Sequence, residues 1–308
     1  MRERLVAIVG ATATGKTALG IELAQRFNGE IVNGDSRQVY REMDIGTAKA
    51  TADERQRARH WLIDAVAPDE PFTLAAYLDL ANAALGDIWA RGKLPIVAGG
   101  TGQYVWALLE GWRVPRVPPD RKLRSELEAL AEREGPDALF EALRREDPSS
   151  AETIDARNVR RVIRAIEVTR ATGRPFSAWR EKRQPNFDAA ILGLRMERER
   201  LHARIDERVD EMMAAGLVDE VRRLNAAGYE CSLPSMSSIG YRQICEHLAG
   251  ECSLEEAVAR IKTETHRLAR MQETWFREAD PRIRRLDVSS PALVAEASAA
   301  VERAFASG

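Results

Sequence analysis

Cysteine and histidine are scarce in this 308-residue sequence, which contains three cysteines and four histidines. Cys231, Cys245 and Cys252 are odd in number and lack C-x-x-C spacing, so the sequence predicts neither a disulfide framework nor a zinc site. This cysteine usage favours a reducing compartment. Long apolar runs are also missing, and no cleavage signature follows the amino terminus. We therefore expect a cytoplasmic protein that does not enter a membrane.

The composition is that of a globular chain, with 44% hydrophobic and 31% charged residues. Short apolar runs alternate with helical patterns in the first third, and this alternation indicates βαβ units. The predicted fold class is α/β, with a P-loop-type parallel sheet flanked by helices. The predicted strands cover residues 5–9, 30–35, 61–64, 94–98, 189–196 and 283–288.

The pattern changes after Gly111, where residues 113–119 contain three prolines and cannot continue a helix. Helical patterns follow at 120–133, 136–146 and 157–172. The sequence therefore predicts an all-helical domain inserted into the core. The predicted boundaries are 1–114 and 186–308 for the P-loop catalytic core, and 115–185 for the insertion.

Charge is distributed unevenly, although the net charge of the chain is only −2. Residues 157–183 carry nine Arg or Lys side chains against two Glu. Arg157, Arg160 or Arg161, and Arg164 recur at helical spacing, so they share one face of the predicted helix. Such a face could follow a nucleic-acid backbone, close over a diphosphate as a lid, or simply be solvated.

Residues 10–17 read GATATGKT, which matches the phosphate-binding pattern GxxxxGK[ST] between an apolar strand and a helix. Backbone N–H groups of such a loop cradle phosphate oxygens, Lys16 adds a charge, and the Thr17 hydroxyl would hold Mg²⁺. The loop does not identify its ligand. Asp35 and Asp64 both follow predicted strands and could hold Mg²⁺ for phosphoryl transfer, so the motif leaves a kinase and other diphosphate chemistry open.

Two further polar segments follow predicted strands, where ligands bind in open parallel sheets. In the first, GDSRQVY, Asp35 could be a general base or a metal ligand, while Ser36 and Gln38 could read a base edge. In the second, GGTG, Thr101 is the only polar side chain. Either segment could instead be a turn with a capping residue.

These motifs together resemble the tRNA dimethylallyltransferase, or tRNA isopentenyltransferase, family. The resemblance is carried in order by GATATGKT, GDSRQVY with GTAK after it, AGGTGQY and RNVRRVIRAIEV. SIGYRQ at 238–243 and ARMQETW at 269–275 look like the carboxy-terminal motifs of that family. The resemblance implies transfer of a dimethylallyl group from its diphosphate to N6 of the adenine 3′ of the anticodon in tRNA, with the anticodon loop as partner and Mg²⁺ as cofactor.

Carried over by position, the resemblance implies a role for individual residues. Asp35 would be the general base, Thr101 would lie at the reacting centre, and Lys16 would assist catalysis. The residues implied to bind the diphosphate are Gly10, Ala11, Thr12, Ala13, Thr14, Gly15, Lys16 and Thr17, with Thr17 also on the metal. The residues implied to bind tRNA are Asp35, Ser36, Arg37, Gln38, Thr101, Arg124, Arg160, Arg161, Val162, Ile163, Arg164, Ile239, Gly240, Tyr241 and Arg242.

The sequence departs from the family pattern near its carboxy terminus. Ser237 and Ser238 stand where some members of the family have a basic residue, and His266 and Met271 stand near the last helix, where arginines are usual. The departures weaken the expected RNA contacts there and leave the catalytic residues unaffected. Two other functions remain open on the motifs alone: a P-loop small-molecule kinase with an arginine-bearing helical lid, and an ATPase that binds nucleic acid without modifying it. No dimerisation stripe is present, so we expect a monomer.

Overall fold

The computed structural model describes residues 2–306, apart from the side chain of Arg180. Its centre is one six-stranded sheet in which all neighbouring strands are parallel. The strands are β1 (Glu3–Val9), β2 (Gly29–Asn33), β3 (His60–Trp61), β4 (Leu94–Ala98), β5 (Phe187–Arg195) and β6 (Ile283–Asp287). Their order across the sheet is β3-β2-β4-β1-β5-β6. The predicted α/β class with a parallel sheet is confirmed.

Helices connect the strands and make up most of the remaining chain. They are α1 (Lys16–Arg26), α2 (Ala52–Arg57), α3 (Leu74–Ala90), α4 (Gly102–Leu109), α5 (Arg121–Glu134), α6 (Pro136–Glu146), α7 (Pro148–Ala151), α8 (Val159–Thr172), α9 (Arg198–Ala214), α10 (Leu217–Ala226), α11 (Tyr241–Leu248), α12 (Leu254–Trp275) and α13 (Leu293–Phe305). Among residues 2–306, none of these helices has the length and apolarity needed to cross a membrane.

The chain divides into two compact units, one of which runs from Glu110 to Gln184. The sequence prediction placed this insertion at 115–185. Helices α5 to α8 lie in the unit, and its core is formed by buried apolar side chains such as Leu139, Leu143 and Ile166. The other unit contains the sheet and the remaining helices.

The sheet is buried on both faces, as parallel sheets are when helices cover them. Residues 5–9 of β1 are each fully buried, and Val6 and Ile8 pack with apolar side chains of α1 and α13. A continuous apolar run is therefore required in β1, with no alternation of polar residues. Such burial fixes the end of β1, and with it the start of the phosphate loop.

Several predicted bounds differ from the structure by one to three residues, and two of these differences have a clear local reason. The strand predicted at 61–64 ends at Trp61, because Leu62 and Asp64 adopt left-handed φ angles of 61° and 58°. The helix predicted from residue 157 begins at Val159, because the Asn158 side chain caps it by accepting a hydrogen bond from the Arg161 N–H. Arg157 therefore lies outside the helix.

The expectation of no disulfide was also wrong. Cys231, in the segment after α10, is bonded to Cys245 of α11. The bond closes a segment with a sequence separation of 14 residues. Neither spacing nor an odd cysteine count could reveal this pair, because the turn between α10 and α11 brings the two together.

Candidate active site

The carboxyl ends of β2, β4 and β1 are adjacent because these strands are neighbours in the sheet. The three segments that follow them, beginning at Gly10, Gly34 and Gly99, therefore lie together at one edge. A cleft of about 850 Å³ opens there. Side chains lining it include Lys16, Thr17, Asp35 and Gln38. The fold thus brings together three motifs that are far apart in sequence.

The phosphate loop has the backbone of an anion cradle. Gly10, Ala13 and Gly15 have φ angles of 143°, 62° and 86°, and these positive values turn successive N–H groups toward one side. The Thr14 hydroxyl donates to the Ala11 carbonyl at 2.8 Å and braces the loop. The α1 helix begins at Lys16, so its amino-terminal partial charge points into the cleft.

Lys16 is held against its own loop. Its Nζ donates to the carbonyls of Ala11 at 2.6 Å and Gly10 at 3.1 Å. Burial lowers the pKa of the Lys16 ammonium to about 8; the nearby Asp35 carboxylate opposes this shift and the Arg208 guanidinium adds to it. The ammonium is therefore poorly solvated in the protein alone, and a bound anion would be its natural counter-charge.

Asp35 follows β2 in a tight turn. Its Oδ1 accepts the Arg37 N–H at 2.8 Å, and the Asn33 side chain bonds both its backbone N–H and its carbonyl. Among residues 2–306, no hydrogen-bond donor reaches its Oδ2. The turn therefore fixes the carboxylate and leaves one oxygen facing the cleft able to accept a proton.

Thr101, which follows β4, contacts the segment that follows β2. Its hydroxyl oxygen accepts the Ser36 N–H at 3.0 Å and donates to the Ser36 hydroxyl at 3.3 Å. Below this contact the backbones of Gly34 and Gly99 touch, since a Cβ built on Gly99 would lie 2.1 Å from the Gly34 carbonyl carbon. Only glycine fits at position 99, and Thr101 is consequently placed beside the Asp35 turn.

Gln38 and Arg37 hold neighbouring chain segments. The Gln38 Nε2 donates to the carbonyls of Thr47 and Ala48 at 3.1 Å, in the GTAK segment that lines the cleft. One Arg37 guanidinium nitrogen donates to the Pro234 carbonyl at 3.2 Å. The amide nitrogen of Gln38 is thus already used within the protein, and only its oxygen could accept from a ligand.

Asp64, considered above as a magnesium ligand, is not free for that role. Its Oδ1 accepts from Lys49 at 2.6 Å, and its Oδ2 accepts from Arg55 at 2.7 Å. Both carboxylate oxygens are therefore neutralised by side chains. This ion pairing removes Asp64 as one of the two alternative candidates for the strand-end aspartate that would hold Mg²⁺ in a kinase.

Two arginines that the sequence analysis missed face the phosphate loop from α9. Arg204 and Arg208 line the cleft, and an Arg204 guanidinium nitrogen lies 3.9 Å from a Cβ built on Gly15. Burial, and then repulsion from Arg204, lower the pKa of Arg208. Two guanidiniums and Lys16 therefore converge on one region, which suits a ligand with several negative charges.

A buried carboxylate shapes another wall of the cleft. Glu220 of α10 accepts backbone N–H groups of Asp44, Ile45 and Gly46, and it also accepts the Tyr241 hydroxyl at 2.6 Å. The side chain of Glu220 is 3% exposed. The Glu220 carboxylate therefore fixes residues 44–46, at the start of the GTAK segment, to α10 and α11.

The basic helix of the insertion presents fewer free charges than its sequence suggests. Arg160 and Arg161 are exposed. Arg124 and Arg164 instead hold Glu167, whose pKa burial would raise but whose arginine partners keep it at about 2. Val162 and Ile163 are 0% and 3% exposed in the core of this unit. Their side chains pack this helix into the core of the unit, and the assignment of both residues to tRNA binding stays a prediction.

Residues 239–242 of the carboxy-terminal motif likewise include both buried and exposed positions. Ile239 is half-buried and Arg242 is exposed, with its guanidinium paired to Glu264. Gly240 is buried, and Tyr241 is fully buried with its hydroxyl on Glu220. The side chain of Tyr241 is used inside the protein, and the assignment of this residue to tRNA binding stays a prediction. Its role is to fix the cleft wall.

The residues that depart from the family pattern have local partners. The His266 ring stacks on His202 with centroids 4.1 Å apart, and its Nε2 lies 2.9 Å from an Asp206 oxygen. Ser237 and Ser238 donate to carbonyls three residues back. Met271 is 55% exposed. These positions therefore pack locally or face solvent without adding charge.

Comparison with known proteins gives consistent matches over almost the whole chain. The IPP transferase family model matches residues 38–279. A tRNA dimethylallyltransferase of Roseiflexus castenholzii is 52% identical over 301 residues, covering 98% of each chain. That of Thermomicrobium roseum is 48% identical, covering 99% of this chain and 92% of the relative.

Solved structures agree with the sequence relatives. The tRNA isopentenylpyrophosphate transferase of Bacillus halodurans is 39% identical, with a TM-score of 0.72 and 98% of each chain covered. A eukaryotic dimethylallyltransferase acting on tRNA is 30% identical, with a TM-score of 0.81, covering 96% of this chain and 77% of that one. With the cleft geometry, these matches show that the chain is a transferase that belongs to the IPP transferase family, together with the tRNA dimethylallyltransferases.

Proposed function

We propose that this enzyme transfers a dimethylallyl group from dimethylallyl diphosphate to N6 of the adenine 3′ of the anticodon in tRNA. The observation that carries the proposal is the shared cleft: the phosphate loop and the Asp35 carboxylate line one space at adjacent strand ends. A leaving diphosphate and a proton-accepting group are the two features that this reaction needs. The family of the chain supports the same chemistry.

In the proposed reaction, the lone pair of N6 attacks C1 of the dimethylallyl group while the C1–O bond breaks. The bonding electrons leave with the diphosphate, which Lys16, Arg204, Arg208 and the loop N–H groups stabilise. The N6 proton passes to Oδ2 of Asp35. Because the amine becomes acidic as the C–N bond forms, an ordinary carboxylate is a sufficient base.

Mg²⁺ is part of the proposal, and its donor set here is small. Among residues 2–306, no group of three or more His, Cys, Asp or Glu side chains could hold a metal. Thr17 lines the cleft beside the loop, and in loops of this pattern the Ser or Thr hydroxyl is a ligand of the Mg²⁺ that accompanies the phosphates. Bound there, the ion would neutralise charge on the diphosphate.

tRNA would bind through exposed cations, with Arg160 and Arg161 supplying phosphate contacts in the insertion. The target adenine would leave its stack to reach Asp35, as bases do for enzymes that modify them, and an unpaired loop makes this less costly. We further propose that the enzyme is a monomer. We also propose that it acts in the cytoplasm, where its tRNA substrate is found.

The test is incubation of the protein with radiolabelled dimethylallyl diphosphate, Mg²⁺ and tRNA that lacks the modification. Label should appear in tRNA with release of diphosphate, and Asp35→Asn should lower the transfer rate by about 10²- to 10⁴-fold. The same variant should bind the donor about as well as the wild type. Label that stays out of tRNA while ATP is consumed would refute the proposal in favour of a kinase or an ATPase.

A further inference from the structure

Gln272, in the last turn of α12, is a buried glutamine whose amide touches two loops of the cleft. Its Oε1 accepts the backbone N–H of Thr12 in the phosphate loop at 2.7 Å. Its Nε2 donates to the carbonyl of Gly100 at 3.0 Å. The residue is 7% exposed, so solvent does not compete for either bond. The amide therefore links the segment that holds a diphosphate to the segment that carries Thr101.

The GGTG segment is shaped to receive the end of α12. A Cβ built on Gly100 would lie 2.3 Å from the Gln272 Nε2, and one built on Gly102 would lie 2.3 Å from the Trp275 ring. The Trp106 indole N–H donates to the Trp275 carbonyl at 2.8 Å. This close fit leaves little freedom for Gln272 to point elsewhere.

The chemistry of the contact explains why an amide is present. One partner offers a hydrogen and the other offers a lone pair, and a glutamine amide is both acceptor and donor. A carboxylate at this place could accept from Thr12 but could not donate to Gly100 unless protonated. It would also place negative charge beside a loop built to attract anions.

We propose that Gln272 is a positioning residue: it holds the phosphate loop and the GGTG segment in one register, so that the donor diphosphate and the Thr101–Ser36 contact stay aligned. This inference rests on the proposed function. It attributes to Gln272 an effect on alignment during transfer, beyond any effect on stability. Misplacement of a reacting group by about 1 Å can cost on the order of 10²-fold in rate.

The experiment compares Gln272→Met and Gln272→Glu with the wild type and with Val301→Ala, a core variant in α13 that is remote from the cleft. Val301 is 1% exposed and packs in the core cluster that includes the sheet, so we expect its truncation to lower stability without altering the cleft. Three quantities are measured: the single-turnover rate at saturating donor and tRNA anticodon stem-loop, the Kd for dimethylallyl diphosphate with Mg²⁺, and the Kd for the stem-loop.

For Gln272→Met we expect the single-turnover rate to fall by about 10- to 100-fold, with stem-loop affinity unchanged. For Gln272→Glu we expect a comparable loss at pH 8 that recovers by about threefold or more, relative to the wild type, at pH 6. A buried carboxyl has a raised pKa, and once protonated it can again accept from Thr12 and donate to Gly100. Val301→Ala should lower the midpoint of thermal unfolding without changing the rate at 25 °C.

Wild-type rates in both Gln272 variants, or a loss in Gln272→Glu that is the same at pH 6 and pH 8, would overturn the inference. Hydrogen exchange of residues 10–17 and 99–102 gives a readout that does not need activity. Exchange should rise in both segments in Gln272→Met, and unchanged exchange would also overturn the inference. If the wild type itself transfers no label to RNA, the proposed function fails, and the exchange result still decides whether Gln272 couples the loops.

Discussion

Donor binding should depend on pH through Lys16, whose pKa in the free protein is about 8. The charged ammonium is the form that binds diphosphate, and bound diphosphate should return its pKa to the ordinary range of about 10.5. Since the free lysine loses its proton above pH 8, affinity should be greatest below that pH and fall as pH rises. Linkage gives an increase in Kd of about tenfold between pH 7 and pH 9, or about 1.4 kcal/mol.

Isothermal titration with dimethylallyl diphosphate and Mg²⁺ measures this directly. At pH 8, titrations in buffers of different ionisation enthalpy should show uptake of about half a proton per donor bound. Lys16→Arg is the matched control, because a guanidinium stays charged across this range. Its Kd, even if weaker, should be nearly flat from pH 7 to pH 9. A flat wild-type response, or the same slope in Lys16→Arg, would refute the assignment of Lys16 to the diphosphate.

Other perturbations test separate parts of the site. Arg208→Gln should weaken donor binding by about tenfold with stem-loop affinity unchanged, and Arg200→Gln on the same helix should have no effect. Equal losses in the two variants would contradict the assignment of Arg208 to the diphosphate. Glu220→Gln should lower the free energy of unfolding in urea by about 1–3 kcal/mol, because a backbone N–H loses its acceptor. Cys231→Ser, or reduction of the wild type, should cost up to about 3 kcal/mol for a loop of this length, and a change below about 0.5 kcal/mol would argue against the bond. Arg161→Gln should reduce the salt dependence of stem-loop binding by about one charge, and an unchanged slope would remove this helix from the RNA interface.

Much of the fold could be predicted because local signals agree with the tertiary environment. The Thr73 side chain accepts from the Ala76 N–H at the start of α3, as expected for a threonine that directly precedes an apolar helical pattern. The β4 strand has the predicted bounds of 94–98. The phosphate loop lies between a buried strand and a helix, as its pattern requires. In each of these cases, the residues that determine the local structure are close together in the sequence.

The two arginines of α9 that line the cleft, Arg204 and Arg208, and the contacts of Gln272 with both loops could not be predicted in this way. Arg204 and Arg208 lie on a helix rich in charges of both signs, where arginines four residues apart usually face solvent. Gln272 acts on Thr12 across 260 positions of sequence. Gln272 lies in the ARMQETW motif that resembles the family, but the resemblance implies no role for this residue. Long-range contacts between backbone groups and one side chain leave no periodic signal, so the structure is needed to find them.

The contact between Gly34 and Gly99 limits how this enzyme could change its substrate. The wall between the two strand ends is made of main chain, so no substitution of a side chain there can widen it. If the proposed donor is correct, room for a longer prenyl chain would have to come from side chains such as Met212 and Leu268, which also line the cleft. We therefore expect substitutions on α9 and α12 to change the selectivity for donor length, and substitutions at the sheet edge to leave it unchanged.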